Sequence, residues 1–336
     1  MQGYKTHVQS GILLNANEAS QNVNETVKQE IIDAISNLSL NRYPDTTCHQ
    51  LHRVYAEVMN VPSSWILSGN GSDQMLGFLI QYYLQENKIL YTLSPDFSMY
   101  DYYVGLNHSK IEKYETNQDG SFDVEAFISN GKDKNVDMVL FSNPNNPTGH
   151  SITLWEMKKI SEAFKDIPVI FDEAYMEFGK ESAVCLLKEY PNVFVCRTLS
   201  KAYGLAGIRC GFMISSQVEK LSALFIPYAL SSVTQTIASV VLRHADEYKD
   251  TIATIISERE RMYQEVKEFK QLTMYPSNAN FLFGRSEKKD LLLAMFKEKN
   301  ITIRNYEDAS FRITIGTKGE NEMVLDVLRR FEYANS

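Results

Sequence analysis

One lysine of this sequence is surrounded by residue types that suit covalent chemistry. Lys201 follows an apolar, strand-like stretch and lies in the segment 197–209, which also carries hydroxyls, glycines and an arginine. A lysine that is partly desolvated and unprotonated can join a carbonyl cofactor as an imine, and Thr198, Ser200 and Arg209 could hold a phosphate group on that cofactor. On this segment alone, a solvated surface lysine is an equally good interpretation.

A carboxylate ends a second strand-like stretch. The largely apolar residues 167–171 lead into Asp172, and Tyr175 follows three positions later. In an open α/β sheet the ligand lies beyond the carboxyl ends of the strands, so Asp172 could pair with a protonated pyridine nitrogen and keep the ring an electron sink. The alternative is a helix cap or a turn residue, which is a usual role for aspartate after a strand.

A rigid loop follows a third strand-like stretch. Residues 142–149 contain two prolines and three asparagines. Because proline fixes φ and asparagine tolerates unusual backbone angles, this loop could direct Asn146 toward an oxygen of a cofactor ring at little cost in entropy. An ordinary turn rich in asparagine and proline is the alternative.

Together, the order and spacing of these three segments resemble the fold-type I pyridoxal-phosphate (PLP) enzymes, and specifically the histidinol-phosphate aminotransferase branch of the class II aminotransferases. The similarity spans nearly the whole chain, with further matching segments at 14–18, 41–44, 71–73 and 311–317. The resemblance implies an α/β fold type I PLP-transferase, in which a large domain with a mostly parallel mixed sheet is joined to a smaller α+β domain.

The pattern of elements along the chain agrees with two domains. Strand and helix patterns alternate from about residue 65 to 216, which is typical of a mostly parallel sheet covered by helices on both sides. Strands are predicted at 66–68, 88–93, 136–142, 169–172, 193–198, 207–214, 278–283 and 311–315, and helices at 24–38, 232–247, 247–270, 288–299 and 320–331. We predict a large PLP-binding domain at 41–245 and a small domain from 1–40 and 246–336.

The resemblance also implies a role for each cofactor residue. Lys201 would bind the cofactor aldehyde and move the proton between the substrate Cα and the cofactor C4′ atom. Asp172 would face the pyridine nitrogen, while Asn146 and Tyr175 would hydrogen-bond the phenolic oxygen. The catalytic residues would thus be Lys201, Asp172 and Tyr175, and the phosphate would lie among Gly71, Ser72, Asp73, Thr198, Ser200 and Arg209.

Two aromatic residues complete the implied cofactor site. Phe97 stands where the family stacks an aromatic ring, usually tyrosine, on the cofactor; stacking needs only the π face, and Tyr100 could form a second wall. Both rings could instead pack in the core. Tyr43 resembles the tyrosine that reaches the cofactor phosphate of the neighbouring subunit, which implies a homodimer with shared active sites. The alternative for Tyr43 is a Tyr-Pro turn at a domain junction.

The substrate residues are suggested by the two ends of the chain. Arg304 and Arg312 resemble family anchors, and an arginine binds a carboxylate or a phosphate equally well. Arg312 lies in an alternating strand pattern, so its side chain should point away from the apolar face. The resemblance adds Asn17 and Tyr4 to the substrate site and leaves open which subunit supplies Tyr4.

The implied activity is PLP-dependent transamination in histidine biosynthesis, by a histidinol-phosphate transaminase. L-Histidinol phosphate and 2-oxoglutarate would give imidazole-acetol phosphate and glutamate. An aromatic amino acid aminotransferase is an alternative, as is a threonine-phosphate decarboxylase-like enzyme, which would use the same Lys201 and Asp172. A nucleotide-dependent oxidoreductase is a weaker alternative, because Gly69-Asn70-Gly71 is followed by Gln74 where the third glycine of the dinucleotide motif would stand.

Composition and charge bear on the location of the protein and on its possible partners. The 336 residues are 44% hydrophobic with a net charge of −8, and no apolar run approaches the roughly 18 residues of a membrane span. We therefore expect a cytoplasmic protein with no membrane or nucleic-acid partner. Four cysteines without a CxxC spacing are expected to be reduced. No metal site is expected, since His49 and His52 fit a solvated helix face.

Overall fold

The computed structural model of the chain describes residues 10–334. Its strands are β1 (Ile12–Leu14), β2 (Ile66–Asn70), β3 (Ile89–Ser94), β4 (Lys110–Glu115), β5 (Met138–Ser142), β6 (Val169–Asp172), β7 (Val193–Thr198), β8 (Cys210–Ile214), β9 (Thr273–Tyr275), β10 (Phe281–Arg285), β11 (Ile301–Asn305) and β12 (Ser310–Thr314). Its helices are α1 (Glu25–Ser36), α2 (His49–Met59), α3 (Gly71–Tyr83), α4 (Met99–Leu106), α5 (Val124–Asp133), α6 (Leu154–Ala163), α7 (Val218–Ser222), α8 (Ser232–Arg243), α9 (Tyr248–Val266), α10 (Lys289–Glu298) and α11 (Lys318–Ala334).

A seven-stranded mixed sheet forms the centre of the fold. Its strand order is β2-β8-β7-β6-β5-β3-β4, with β8 antiparallel to both of its neighbours and the remaining pairs parallel. Both faces of the central strands are buried: Met138 and Leu140 pack on the side of α3, whereas Val139 and Phe141 pack in the other core. This two-sided burial explains the nearly continuous apolar runs of β5, β6 and β7.

The parallel strands of this sheet end in polar residues. The last residues of β3, β5, β6 and β7 are Ser94, Ser142, Asp172 and Thr198. Within the sheet register Ser142 is paired with Asp172. Because these strands run in the same direction, their final side chains meet at one edge of the sheet, where ligands bind in open α/β folds.

A sharp connection leads from β2 directly into α3. Gly71, the first residue of α3, has φ +76°, and a Cβ atom at this position would lie 2.5 Å from Nη2 of Arg209. Gly211 of β8 is equally restricted, since its Cβ would lie 2.1 Å from the backbone nitrogen of Ser72. These two glycines let the first turn of α3 approach β8 and Arg209 closely.

A second, five-stranded sheet joins the two ends of the chain. Its order is β1-β11-β12-β10-β9, with β1 parallel to β11 and the other pairs antiparallel. Strand β1 precedes Asn17, which donates its backbone N–H to Oγ1 of Thr314 on β12. The amino-terminal segment is thereby fixed beside the carboxy-terminal strands.

The predicted α/β architecture with a mostly parallel mixed sheet is confirmed. The domain division into 41–245 and 1–40 with 246–336 stays a prediction, which the presence of two separate sheets supports. The strand predicted at 207–214 is wrong in its first part, because residues 206–208 form a 3-10 turn and β8 begins at Cys210. Within residues 10–334, no helix combines the length and apolar character needed to cross a membrane.

Candidate active site

A cavity of about 990 Å³ lies at the edge of the large sheet where the parallel strands end. One wall includes Ser94, Ser142, Asp172 and Thr198, and the opposite wall comes from strands β10, β11 and β12 of the smaller sheet. The predicted site residues that line it are Ser72, Asp73, Phe97, Asn146, Asp172, Tyr175, Thr198, Ser200, Lys201, Arg209, Arg304 and Arg312. Residues predicted from separate segments of the sequence are therefore brought together here.

Lys201 presents its amine inside this cavity. Its Nζ donates a hydrogen bond to the carbonyl oxygen of Ala16 at 3.0 Å and lies 5.8 Å from the centre of the Tyr175 ring. Burial and, after it, the positive charge of Arg312 lower the pKa of Lys201 from 10.5 to about 8. The unprotonated amine, which attack on a carbonyl requires, is thus a minor form at neutral pH and becomes the main form above about pH 8.

Asp172 is almost completely buried, with 3% of its surface exposed. Its Oδ2 accepts a hydrogen bond from the Tyr100 hydroxyl at 2.9 Å, and its Oδ1 accepts one from the Ala174 backbone N–H at 3.3 Å. Burial raises the pKa of Asp172 to about 7, although the hydrogen bond from Tyr100 opposes this shift. A cationic ring nitrogen beside this carboxyl would favour the ionised form.

A polar cup lies at the start of α3. The backbone N–H groups in the first turn of this helix lie beside the guanidinium of Arg209, whose Nη2 is 2.9 Å from Oδ2 of Asp73. On the other side, the Thr198 hydroxyl donates to Oγ of Ser200 at 2.9 Å. The backbone N–H groups of this turn, the positive end of the helix dipole, two hydroxyls and an arginine suit a phosphate.

Arg312 is buried against neutral oxygens. Its Nη1 donates to Oδ1 of Asn146 and its Nη2 donates to the carbonyl oxygen of Asn15 at 2.9 Å. Its Nε has no hydrogen-bond partner among the described residues, and none of their carboxylates forms an ion pair with it. A buried guanidinium in such surroundings favours an anionic ligand.

Arg304 is the direct cross-strand partner of Arg312 in the pairing of β11 with β12, and it lines the same cavity. Its guanidinium carbon lies 5.8 Å from the centre of the Tyr306 ring. The expectation that Arg312 points away from the apolar face of its strand agrees with its place in the cavity. Strand β12 has no solvent-exposed face, however, since all five of its residues are buried.

Among the described residues, three predicted site residues, Asn17, Tyr43 and Gly71, do not line the cavity. Asn17 is fully buried behind Tyr175, and its Nδ2 donates to the Tyr175 hydroxyl at 2.9 Å. Tyr43 is 82% exposed and stacks on Tyr228 with ring centres 4.7 Å apart, away from the cavity of its own chain. Tyr4 lies outside the described residues. Gly71 contacts Arg209 behind the cup rather than lining the cavity.

Two interpretations of polar and aromatic residues were wrong. Tyr100 is not a second wall: it is 1% exposed, does not line the cavity, and lies edge-on to Phe97 with ring centres 5.7 Å apart. His52 is not on a solvated helix face, because its Nε2 lies 2.8 Å from Oγ of Ser68 and burial lowers its pKa to about 4. No cluster of metal-binding side chains is found within residues 10–334.

Asp96, a half-buried residue that also lines the cavity, was missed by the sequence interpretation. Its Oδ1 accepts hydrogen bonds from the Phe97 backbone N–H at 2.7 Å and from the Ser142 hydroxyl. Oγ of Ser142 in turn accepts from the Asn146 backbone N–H at 2.9 Å. Asp96 thereby connects the segment that carries Phe97 to the loop that carries Asn146. An aspartate that follows a proline after a strand is the one sequence signal for such a turn.

These residues fit a phosphate-bearing aldehyde cofactor with a pyridine ring. Lys201 supplies an amine of lowered pKa, Asp172 supplies a buried carboxyl, and the cup at α3 is shaped by glycines whose Cβ atoms would collide with Arg209 and Ser72. Phe97 lines the cavity between them as an aromatic surface. The arrangement could hold such a ring at both ends and along one face.

Comparison with known proteins agrees with this geometry. Residues 9–328 match the family model for aminotransferase class I and II. The histidinol-phosphate aminotransferase of Clostridium kluyveri is 32% identical over 325 residues, which cover 95% of this chain and 92% of the relative. That of Pyrococcus furiosus is 34% identical over 325 residues with the same two coverages.

The fold of this chain is also similar to that of a solved aminotransferase structure. The histidinol-phosphate aminotransferase from Sinorhizobium meliloti, in complex with pyridoxal-5′-phosphate, superposes with a TM-score of 0.85 at 22% identity, over 96% of this chain and 91% of the other. At this identity the likeness shows a shared fold. The family match spans nearly the entire chain and includes every segment that forms the cavity, and so the chain belongs to the class I and II aminotransferases.

Proposed function

We propose that this chain is a PLP-dependent aminotransferase that transfers the amino group of L-histidinol phosphate to 2-oxoglutarate in histidine biosynthesis, giving imidazole-acetol phosphate and glutamate. The observation that carries the proposal is the joint presence of Lys201, Asp172 and the polar cup in one cavity. The two relatives described above, which share a third of their residues with this chain over most of its length, support the substrate assignment.

The chain's own residues would divide the work as follows. When bound, PLP supplies an electron-withdrawing ring that weakens a bond at the substrate Cα. Lys201 would hold the cofactor aldehyde, and its amine would take the proton from the substrate Cα and deliver it to C4′. Asp172 would keep the ring nitrogen protonated, Asn146 and Tyr175 would hold the phenolic oxygen, and Phe97 would pack on the ring face. The cup of Ser72, Asp73, Thr198, Ser200 and Arg209, with Gly71 behind it, holds the phosphate.

The arginines support an amino substrate that carries an anion. Arg304 and Arg312 are cross-strand partners, and both line the cavity. A dianionic phosphate would neutralise both charges, and the carboxylates of 2-oxoglutarate could use the same groups in the second half of the reaction. Asn17 supports this wall indirectly, since it fixes Tyr175 and β12. A direct contact of Asn17 or Tyr4 with the substrate stays a prediction.

The proposed assembly is a homodimer with shared active sites. Tyr43 is strongly exposed, and Leu40, Leu224 and Ile226 are further large apolar side chains with exposed fractions of 77%, 59% and 59%. A second copy of the chain would cover such residues, and Tyr43 would then reach the cofactor phosphate of the partner subunit. The proposed location is the cytoplasm, in agreement with four cysteines that form no disulfide.

The decisive experiment begins with purified protein and PLP. Borohydride reduction followed by peptide mapping should place the cofactor on Lys201, and the Lys201→Ala variant should lose this label. Lys188→Ala removes an exposed lysine far from the cavity and serves as the matched control. Labelling at another residue would contradict the proposal.

Substrate choice is tested with the holoenzyme in single half-reactions. Histidinol phosphate should convert the lysine-bound cofactor to its amino form faster than phenylalanine or tyrosine does, and 2-oxoglutarate should reverse the spectral change. Preference for the aromatic amino acids would instead identify an aromatic aminotransferase. Release of carbon dioxide from threonine phosphate would identify a decarboxylase.

A further inference from the structure

Tyr100 and Asp172 form a buried pair beneath the cavity. The Tyr100 hydroxyl donates a hydrogen bond to Oδ2 of Asp172 at 2.9 Å. The two side chains are 1% and 3% exposed. Tyr100 belongs to the first turn of α4, whereas Asp172 ends β6, so the contact joins two elements that are far apart in sequence.

The contact fixes the direction of the carboxylate. One oxygen is held by Tyr100, and the other accepts the Ala174 backbone N–H at 3.3 Å. Rotation of the carboxylate would break both bonds inside the protein, where no water replaces them at low cost. Asp172 can therefore present its remaining lone pairs toward the cavity in one orientation.

The contact also acts on the charge of Asp172. Burial favours the protonated carboxyl, while a hydrogen bond donated to the carboxylate favours the ionised form. Burial and hydrogen bonding therefore shift the pKa of Asp172 in opposite directions. Tyr100 donates the side-chain hydrogen bond that lowers this pKa. A neutral carboxyl opposite a pyridine nitrogen would leave the ring uncharged. The charge of Asp172 therefore decides whether the ring nitrogen stays protonated.

We propose that Tyr100 is a positioning residue that keeps Asp172 ionised and aligned with the cofactor ring nitrogen, so that the proton of this pair stays on the ring. The inference rests on the proposed function, because it requires PLP in the cavity. Tyr100 touches neither the substrate nor the reacting atoms and acts through Asp172.

The test uses holoenzyme loaded with PLP labelled with ¹⁵N in the ring. The nitrogen signal of the wild type should lie near that of free cofactor at low pH, where the nitrogen is protonated. In Tyr100→Phe it should move toward the value of the neutral pyridine. The half-reaction rate with the amino donor should fall about tenfold, as expected for loss of a hydrogen bond to a charged group, while KM changes little.

Tyr91→Phe is the matched control. Tyr91, on β3 of the large sheet, is also fully buried, but its hydroxyl lies 3.0 Å from the Phe127 carbonyl oxygen and 3.1 Å from Oδ1 of Asn130, in the other core. Its loss should leave the ring ¹⁵N signal unchanged. Circular dichroism of both variants confirms folding.

A second background shows whether the effect of Tyr100→Phe acts through Asp172. In an Asp172→Asn background the carboxylate is gone, so wild-type Tyr100 and Tyr100→Phe should give the same ring signal. An unchanged ¹⁵N signal in Tyr100→Phe, or an equal change in both backgrounds, would overturn the inference. Failure of the wild type to bind PLP at Lys201 would instead refute the proposed function, so the two failures are distinguishable.

Discussion

Arg304 and Arg312 lie directly opposite each other on the antiparallel strands β11 and β12, and both line the cavity. Like charges at such a pair repel each other. Arg312 is also nearly buried, with 6% of its surface exposed, and its hydrogen bonds go to neutral oxygens of Asn146 and Asn15. An anion placed between the two guanidiniums would relieve this repulsion.

The first prediction concerns Arg312→Lys. Lysine keeps the charge but cannot contact Asn146, Asn15 and an anion with a planar fork. We expect kcat/KM for a phosphorylated amino donor to fall about 10- to 100-fold, the equivalent of roughly 1.5–3 kcal/mol for charged hydrogen bonds. Arg329→Lys, which alters a surface ion pair with Glu265 away from the cavity, should keep wild-type kinetics. Equal kcat/KM in the two variants would argue against an anion site at Arg312.

The second prediction concerns the pH dependence of cofactor capture. Only the unprotonated amine of Lys201 attacks the aldehyde, and burial together with the charge of Arg312 lowers the pKa of this lysine to about 8. The rate at which cofactor-free protein forms its visible absorbance band should rise with pH, reach half of its limit near pH 8 and then level off. Stopped-flow absorbance between pH 6 and 10 measures the profile.

A variant of Arg312 separates the two causes that lower the pKa of Lys201, which are burial and the charge of Arg312. Arg312 is the second contributor after burial, and its positive charge disfavours protonated Lys201. Arg312→Gln should therefore move the midpoint to higher pH, toward the ordinary value of a lysine. A midpoint that stays near 10.5 in the wild type would show that Lys201 is solvated.

The third prediction concerns Gly71→Ala. The new Cβ would lie 2.5 Å from Nη2 of Arg209, and φ at this position is +76°, where a side chain costs about 1–2 kcal/mol. We expect weaker PLP binding, since Arg209 must leave the cup, together with a lower melting temperature. Gly319→Ala is the control, because a Cβ there meets nothing within 4 Å. Unchanged PLP affinity in Gly71→Ala would remove Arg209 from the phosphate site.

The parts of the fold that could be predicted from the sequence are those determined locally. Strands β6 and β7 have the predicted bounds, because each is an apolar run buried on both faces and followed by polar residues. The position of Asp172 at a strand end follows from the same pattern. Placement of Lys201 and Asp172 in one cavity required the resemblance to a family.

The features of the fold and of the site that the sequence did not predict depend on residues that are distant in sequence. Strand β4 lies at the sheet edge and consists largely of charged residues, so no apolar run marks it. The bond between Tyr100 and Asp172 spans 72 positions, and that between Asn17 and Thr314 spans 297. His52 is half-buried, with its side chain against Ser68, which lies 16 positions away on β2. Residue type and spacing within one segment carry no signal for such contacts.

The fourth prediction concerns Asp172 and the effect of its charge on the free energy of unfolding. Burial raises the pKa of Asp172 in the folded chain from 3.8 to about 7. The folded state therefore binds more protons than the unfolded state between these values, so stability falls as pH rises from about 4 through 7 and then stays constant. Ionised Asp172 without a cofactor should cost of the order of 4 kcal/mol.

Asp172→Asn removes this titration while retaining an oxygen that can accept from Tyr100. In cofactor-free protein the variant should be more stable than the wild type at pH 8, and the difference should shrink steadily as pH falls toward 4. Urea unfolding at several pH values measures it, with Asp166→Asn at an exposed position as the control. A stability difference that does not change with pH would show that Asp172 has an ordinary pKa. Because the same substitution should nearly abolish transamination, the expected result is a more stable protein with an inactive site.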